Sequence, residues 1–194
     1  MQFLIIESHP YRESFNTNAA AMIRKVLTGK GHTVETIDLI NDKFDPVMYT
    51  DDLKLWSKGK TTDKLVEKYK KMITNADMLV ILFPVWWGNM PAILKGFWDK
   101  VLLPGWAYTL AEDGSLSGLI TGKKAVVITT MSVPSVFFND YLQNPVRGAF
   151  IKNTLEVCGF EVSKHFEIEK IDSGREYTEE KMREIERFFA IVSN

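Results

Sequence analysis

The chain has few cysteines and histidines and almost no charge imbalance. Its one cysteine, Cys158, excludes an intrachain disulfide and any multi-cysteine metal site. Such sparing use suits a reducing compartment. Lys and Arg number 24 against 25 Asp and Glu, a net charge of −1. The basic excess of a dedicated nucleic-acid binder is missing, and so is the acidic excess of a polyanionic electron carrier. No run approaches the roughly 18 apolar residues that a membrane-spanning helix needs. The opening Met1–Glu7 has no basic lead, and its apolar run is too short for a signal peptide. A cytoplasmic protein, not integral to a membrane, is the expectation. Neither Gly-x-Gly-x-x-Gly nor Gly-Lys-Ser/Thr occurs, so a Rossmann dinucleotide site and a P-loop are not indicated. There is no internal repeat or low-complexity tract.

What is present reads as an ordinary globular chain. The 194 residues are 45% hydrophobic and 25% charged, which fits one domain over 1–194 with a full core. Phe3–Ile6, Met78–Phe83 and Ala125–Thr130 are unbroken apolar runs, the pattern of strands buried on both faces. Thr33–Asp38 and Val162–Ile168 read as two further strands. Helical spacing follows Ser14, with closure at Gly29 and Gly31. It recurs over Asp63–Ile73, Pro91–Val101, Val146–Val157 (ended by Gly159) and Thr178–Val192. Residues 41–60 read as a long functional loop with a short helix near Asp51–Trp56, and residues 104–121 as a hairpin or loop excursion. Five strands alternating with helices predict an α/β fold, a doubly wound parallel sheet. Ligands of such sheets bind beyond the carboxyl ends of the strands.

Three loops fall at those ends. His9–Asn16 offers a hydroxyl, an amide, a cation and the N–H groups of a starting helix, which make an anion site; the plainer role for Ser14 is helix capping. Pro84-Val85-Trp86-Trp87-Gly88 puts two tryptophans in a loop, where exposed aromatics need a reason. They face a ligand or partner unless both pack sideways on the next helix. Thr129-Thr130-Met131-Ser132 adds hydroxyls at a strand's mouth. An anion cradle, a flat aromatic wall and a polar edge together suit a planar heterocycle carrying phosphate, with a flavin nucleotide as the leading candidate.

Several blocks carry a specific likeness: His9–Asn16, Phe83–Trp87, Met90–Val101 with its Pro-Ala-Ile-Leu-Lys-Gly core, Gly105–Tyr108 and Cys158-Gly159-Phe160. In these the chain resembles the NAD(P)H:quinone oxidoreductase family over nearly its whole length. The resemblance implies a flavodoxin-like five-stranded sheet of order 2-1-3-4-5. It also implies a bound flavin (FAD or FMN), NAD(P)H as co-substrate, a small-molecule electron acceptor and a homodimer. Carried over by position, His9, Ser14, Phe15 and Asn16 would hold the flavin's phosphate end. Pro84, Val85, Trp86 and Trp87 would line its ring, with Thr129, Thr130 and the amides of Met131 and Ser132 at its polar edge. Trp87, Tyr108 and Phe137 would line the substrate pocket, Tyr108 reaching over the partner subunit's site.

Departures from the family pattern are informative too. Met131-Ser132 replaces the usual Gly-Gly. The family's second lid aromatic is Leu110 here. Mammalian members carry a tyrosine and then a histidine in the loop after the fourth strand, but no histidine lies between Met131 and Cys158. Tyr141 is the substitute proton donor, with water as the alternative. His32 and His165 read as structural, and Cys158 as a packed small hydrophobe. No metal is called for. Two-electron hydride transfer through one site, taking donor and acceptor in turn, predicts ping-pong kinetics. The family also includes ancillary subunits of potassium-efflux transporters, so a flavin-binding regulatory subunit is the rival reading. A one-electron carrier fits less well.

Overall fold

Apolar runs of four to six residues become the inner strands. The computed structural model describes residues 1–192. Among them the strands are β1 (Gln2–Glu7), β2 (Thr33–Asp38), β3 (Met78–Pro84), β4 (Tyr108–Leu110), β5 (Leu116–Gly118), β6 (Lys124–Thr130) and β7 (Glu161–Ile168). Five of them form a parallel sheet in the order β2-β1-β3-β6-β7, while β4 and β5 pair as a separate antiparallel hairpin. With the hairpin set aside, the order is the expected 2-1-3-4-5. The hairpin occupies the 104–121 excursion.

The helices are α1 (Phe15–Gly29), α2 (Thr50–Trp56), α3 (Lys64–Asn75), α4 (Ala92–Val101) and α5 (Arg175–Ile191). Each face of the sheet has its own core, because alternate strand residues point to opposite sides. Met78, Val80 and Leu82 of β3 pack with Ile23 and Leu27 of α1 and with Ile185 and Phe189 of α5. Leu79, Ile81 and Phe83 pack with Tyr69 of α3, Phe97 of α4 and Phe150. Every residue of β3 is buried, as its composition predicts for the central strand.

Two segments depart from the sequence reading. Val146–Glu156, expected as an α-helix, is wound as a π-helix, as is Phe137–Tyr141. Its buried positions Val146, Phe150, Ile151 and Leu155 recur at intervals of about 4.4 residues, the π repeat, so a wider coil keeps them on the sheet. Helix α5 starts three residues earlier than expected, because Gly174 (φ 107°) ends the preceding turn without the side-chain cap that would have marked the start.

The stretch over 41–60 contains the expected short helix, α2, and is tied to α4. Gly96 lies against Pro46 with no room for a Cβ. Lys100, 6% exposed, donates to the carbonyls of Asp45 (3.2 Å) and Val47 (3.4 Å), and its charge meets Asp63 at 3.3 Å and Asp52 at 3.7 Å. Two carboxylates and two carbonyls satisfy a cation that would otherwise be costly to bury.

Candidate active site

The sheet order reverses between β1 and β3, and a cleft of about 290 Å³ opens at their carboxyl ends and that of β6. His9, Ser14, Phe15 and Asn16 line it after β1. Pro84, Val85 and Trp86 line it after β3, and Thr130, Met131 and Ser132 after β6. Ten residues expected at a ligand site are thereby brought together. Tyr11 and Ile171 complete the lining and were not assigned from sequence. Tyr11 lies inside the first loop, whereas Ile171 arrives from beyond β7 and left no local signal.

The anion end is built from the start of α1. Ser14 is in extended conformation, and its Oγ accepts from Thr17 N–H at 3.2 Å, so it caps the helix as the plainer reading holds. The first-turn N–H groups of Phe15 and Asn16 precede the helical ladder and face the cleft end of the dipole. His9 Nδ1 lies 3.0 Å from Tyr11 N and 3.2 Å from Tyr11 O. With Nδ1 unprotonated the ring accepts the Tyr11 N–H and carries its proton on Nε2; with Nδ1 protonated it donates to the Tyr11 carbonyl instead. Burial holds the His9 pKa below its ordinary value, so the neutral form dominates near pH 7. Arg12, the cation of this loop, is engaged with Asp38 at the end of β2.

The aromatic wall comes from a tight turn. Trp86 N–H donates to Asn89 O (2.8 Å) and Asn89 N–H to Trp86 O (3.0 Å), while Trp87 (φ 51°) and Gly88 (φ 74°) both have positive φ. Two central residues of positive φ define the type I′ geometry. Glycine accepts it freely, but tryptophan does not. The turn throws the Trp87 side chain fully into solvent and leans Trp86 over the cleft toward His9, with ring centroids 6.4 Å apart.

At the end of β6, strand alternation separates the two threonines. Thr130 faces α1 and accepts from Asn16 Nδ2 at 3.1 Å. Thr129 faces the other side, is fully buried, and shares a 2.9 Å hydrogen bond with His165 Nε2. Thr129 therefore does not reach the cleft. The Met131 amide is also committed, donating to Ile168 O at 2.9 Å, and its side chain joins the core. The replacement of Gly-Gly thus leaves the cleft uncrowded by Met131. Of these two amides, only that of Ser132 has no partner among the described residues.

The remaining sequence candidates do not line the cleft itself. Phe137 and Tyr141 stack on each other at 5.0 Å and are exposed. Tyr108 lines a second, apolar groove of about 270 Å³ with Trp56, Trp98 and Phe150, and desolvation raises its pKa. The 41–60 stretch contributes no residue to the cleft. Cys158 is buried, and burial pushes its thiol up to about 11, far from a nucleophile's range. His165 is held down to about 4 by burial, despite Glu167 beside it. His32 packs against Phe3 at 5.3 Å. Among the described residues no group of three His, Cys, Asp or Glu could hold a metal ion, and no helix is long and apolar enough to cross a membrane.

The cleft's polar atoms fit a phosphorylated ribityl-flavin. Asn16 is 1% exposed, and the end of its amide away from Thr130 has no partner. An unpaired amide buried at a helix start is expensive unless a ligand completes it. Because Thr130 can donate or accept, either amide orientation keeps that contact. The free end would then be able to accept from a sugar hydroxyl or donate to a phosphate.

This sheet, with its cleft at the switch point, defines a flavodoxin-like α/β protein, and the family model described as "Flavodoxin-like fold" matches residues 1–190. The "Uncharacterized NAD(P)H oxidoreductase" of Haemophilus influenzae is 28% identical over 163 residues, covering 83% of this chain and 80% of that protein. "NAD(P)H dehydrogenase [quinone] 1" of Cavia porcellus is 31% identical over 180 residues, covering 82% and 65%. Among solved structures, Smu.1420 from Streptococcus mutans superposes with a TM-score of 0.87 at 31% identity, over 98% of this chain and 99% of that one. The chain belongs to the NAD(P)H:quinone oxidoreductase family of flavodoxin-like oxidoreductases.

Proposed function

We propose that the cleft binds a flavin, FMN or FAD, and that the protein passes two electrons from NAD(P)H to a quinone or similar aromatic acceptor. The observation that carries this is the unpartnered amide of Asn16, buried between the start of α1 and Thr130 in a cleft walled by Trp86. The flavin, when bound, supplies hydride acceptance and return. The residues have the remaining tasks. The first-turn amides of α1 and His9 Nε2–H hold the phosphate end. Trp86, Pro84 and Val85 form the wall against which the ring lies, and the Ser132 amide presents a fixed dipole to its polar edge. Trp87 stands at the mouth, where donor and acceptor come and go in turn, which is the basis of a ping-pong scheme.

No histidine side chain lines the acceptor side among these residues, so the proton for the reduced acceptor comes from water or from Tyr141. Tyr108 lies outside this chain's cleft, beside an apolar groove. We place it over the flavin site of a second copy in a twofold dimer. Purification without added cofactor, release and identification of any flavin, and NAD(P)H oxidation assayed with and without a soluble naphthoquinone test the reading. Bound flavin and quinone-dependent turnover support it. A protein that neither retains nor takes up flavin rejects it.

A further inference from the structure

The segment from Met131 to Pro145 runs beside the mouth of the cleft. Met131 and Ser132 line the cleft at one end. At the other, Pro145 stands against the tryptophan turn, its Cγ 3.5 Å from where a Cβ on Gly88 would lie. Between them the exposed rings of Phe137 and Tyr141 stack with an interplanar angle of 19°. Apart from buried Met131 and Phe138, the segment's side-chain hold on the body of the protein is polar and comes from β7 and the residue just after it. Glu167 Oε2 accepts from Asn139 Nδ2 at 2.9 Å, and Oε1 accepts from Asn144 Nδ2 at 2.6 Å. Asn144 also donates to Asn139 Oδ1 at 2.5 Å, and its own Oδ1 accepts from Arg147 N–H at 2.9 Å, starting the second π-wound stretch. Glu169 takes the Ser135 N–H.

Glu167 faces this segment because of a bulge. Ala125 pairs with Val162 and Val126 with Lys164, which leaves Ser163 as an extra residue in β7. The insertion resets the alternation. Phe166 and Ile168 enter the α1/α5 core, while His165 and Glu167 turn to the opposite side. His165 Nδ1 lies 3.4 Å from Glu167 Oε1, and its Nε2 shares a hydrogen bond with the Thr129 hydroxyl. Gln143 (φ 56°) and Asn144 (φ 42°) are successive non-glycine residues in the left-handed region, a conformation that persists only where the surroundings hold it. The carboxylate provides that hold at Asn144.

We propose that Glu167 is a positioning residue for the electron acceptor: by gripping Asn139 and Asn144 it fixes the Phe137–Tyr141 pair at the rim of the cleft, where the pair covers an aromatic acceptor. The inference rests on the functional reading above and assigns part of its specificity to β7. The chemistry of the grip requires a carboxylate. It alone offers two acceptor oxygens to two amide N–H₂ groups, whereas glutamine would set a donor against one of them.

Glu167→Gln is the test, made on flavin-loaded protein with a soluble naphthoquinone as acceptor and with hydrogen exchange measured alongside. Loss of one charge-assisted hydrogen bond should raise the quinone KM by about tenfold while flavin reduction by NAD(P)H stays within about twofold. Amides in the 135–147 stretch should exchange at least about tenfold faster, with β1 and β3 unaffected. The double variant Glu167→Gln with Asn139→Asp restores complementary donors and acceptors and should return KM to near the parent value. An unchanged KM in Glu167→Gln overturns the proposal. So does an equal rise in both variants, which would make the charge of Glu167, not its grip, responsible. A parent without quinone turnover, yet with the expected exchange pattern, overturns the functional reading and with it the acceptor role, leaving the grip as architecture.

Discussion

Replacing Asn16 by alanine separates ligand binding from folding. In the free protein the Asn16 amide makes one hydrogen bond, to Thr130, and leaves its other end buried without a partner. Deleting the side chain loses about 1 kcal/mol from the bond and recovers a similar amount from the unpaired group, so apo stability should change by less than about 1 kcal/mol. With flavin bound, both ends of the amide are used. Its removal then costs about 2 kcal/mol, roughly a 30-fold weaker Kd. Ser14→Ala should behave differently. Its Oγ caps α1 through Thr17, so about 1 kcal/mol is lost from the apo protein itself. Flavin titration by fluorescence, paired with thermal unfolding of the apo forms, distinguishes the two. An Asn16→Ala protein that is clearly destabilised yet binds flavin as tightly as the parent would refute the assignment of that amide to the ligand.

Further outcomes follow from the same geometry. His165 is held near 4 in the folded protein against an ordinary value of about 6.5, so between these values the unfolded chain binds the extra proton. Stability is therefore fully present above about pH 6.5 and falls as pH drops toward 4, by up to about 3 kcal/mol, and denaturant unfolding of His165→Gln should show a flatter profile over that window. Gly96→Ala drives a methyl into Pro46 and should lower stability by about 1–3 kcal/mol in thermal unfolding while leaving flavin affinity untouched. Trp87→Asn relieves a bulky residue at positive φ and should raise stability by about 1 kcal/mol, yet weaken acceptor binding in steady-state kinetics.

Much of this was legible because the informative residues act locally. The buried strands are apolar runs, and the loops after β1, β3 and β6 carry their donors and aromatics in sequence. What escaped depends on geometry that composition does not encode. Thr129 and Thr130 look equivalent as a pair, although strand alternation allows only one to meet Asn16. Trp86 and Trp87 are adjacent, but a type I′ turn separates their directions. The β7 bulge decides which face receives Glu167, and the buried positions of Val146–Glu156 follow the π repeat, which a search for α-helical spacing passes over. No histidine stands between Met131 and Cys158, so under the proposed function the acceptor side would draw its proton from another source.

An anaerobic titration tests the central claim most directly. Flavin-loaded protein is reduced with NAD(P)H and then given a soluble naphthoquinone, with the flavin absorbance followed throughout. The account predicts that one equivalent of NAD(P)H per flavin bleaches the oxidised spectrum and one equivalent of quinone restores it, with Asn16→Ala following the same stoichiometry once enough flavin is added to fill the weakened site. A bound flavin that NAD(P)H leaves oxidised, or that stays reduced when quinone is added, would contradict it.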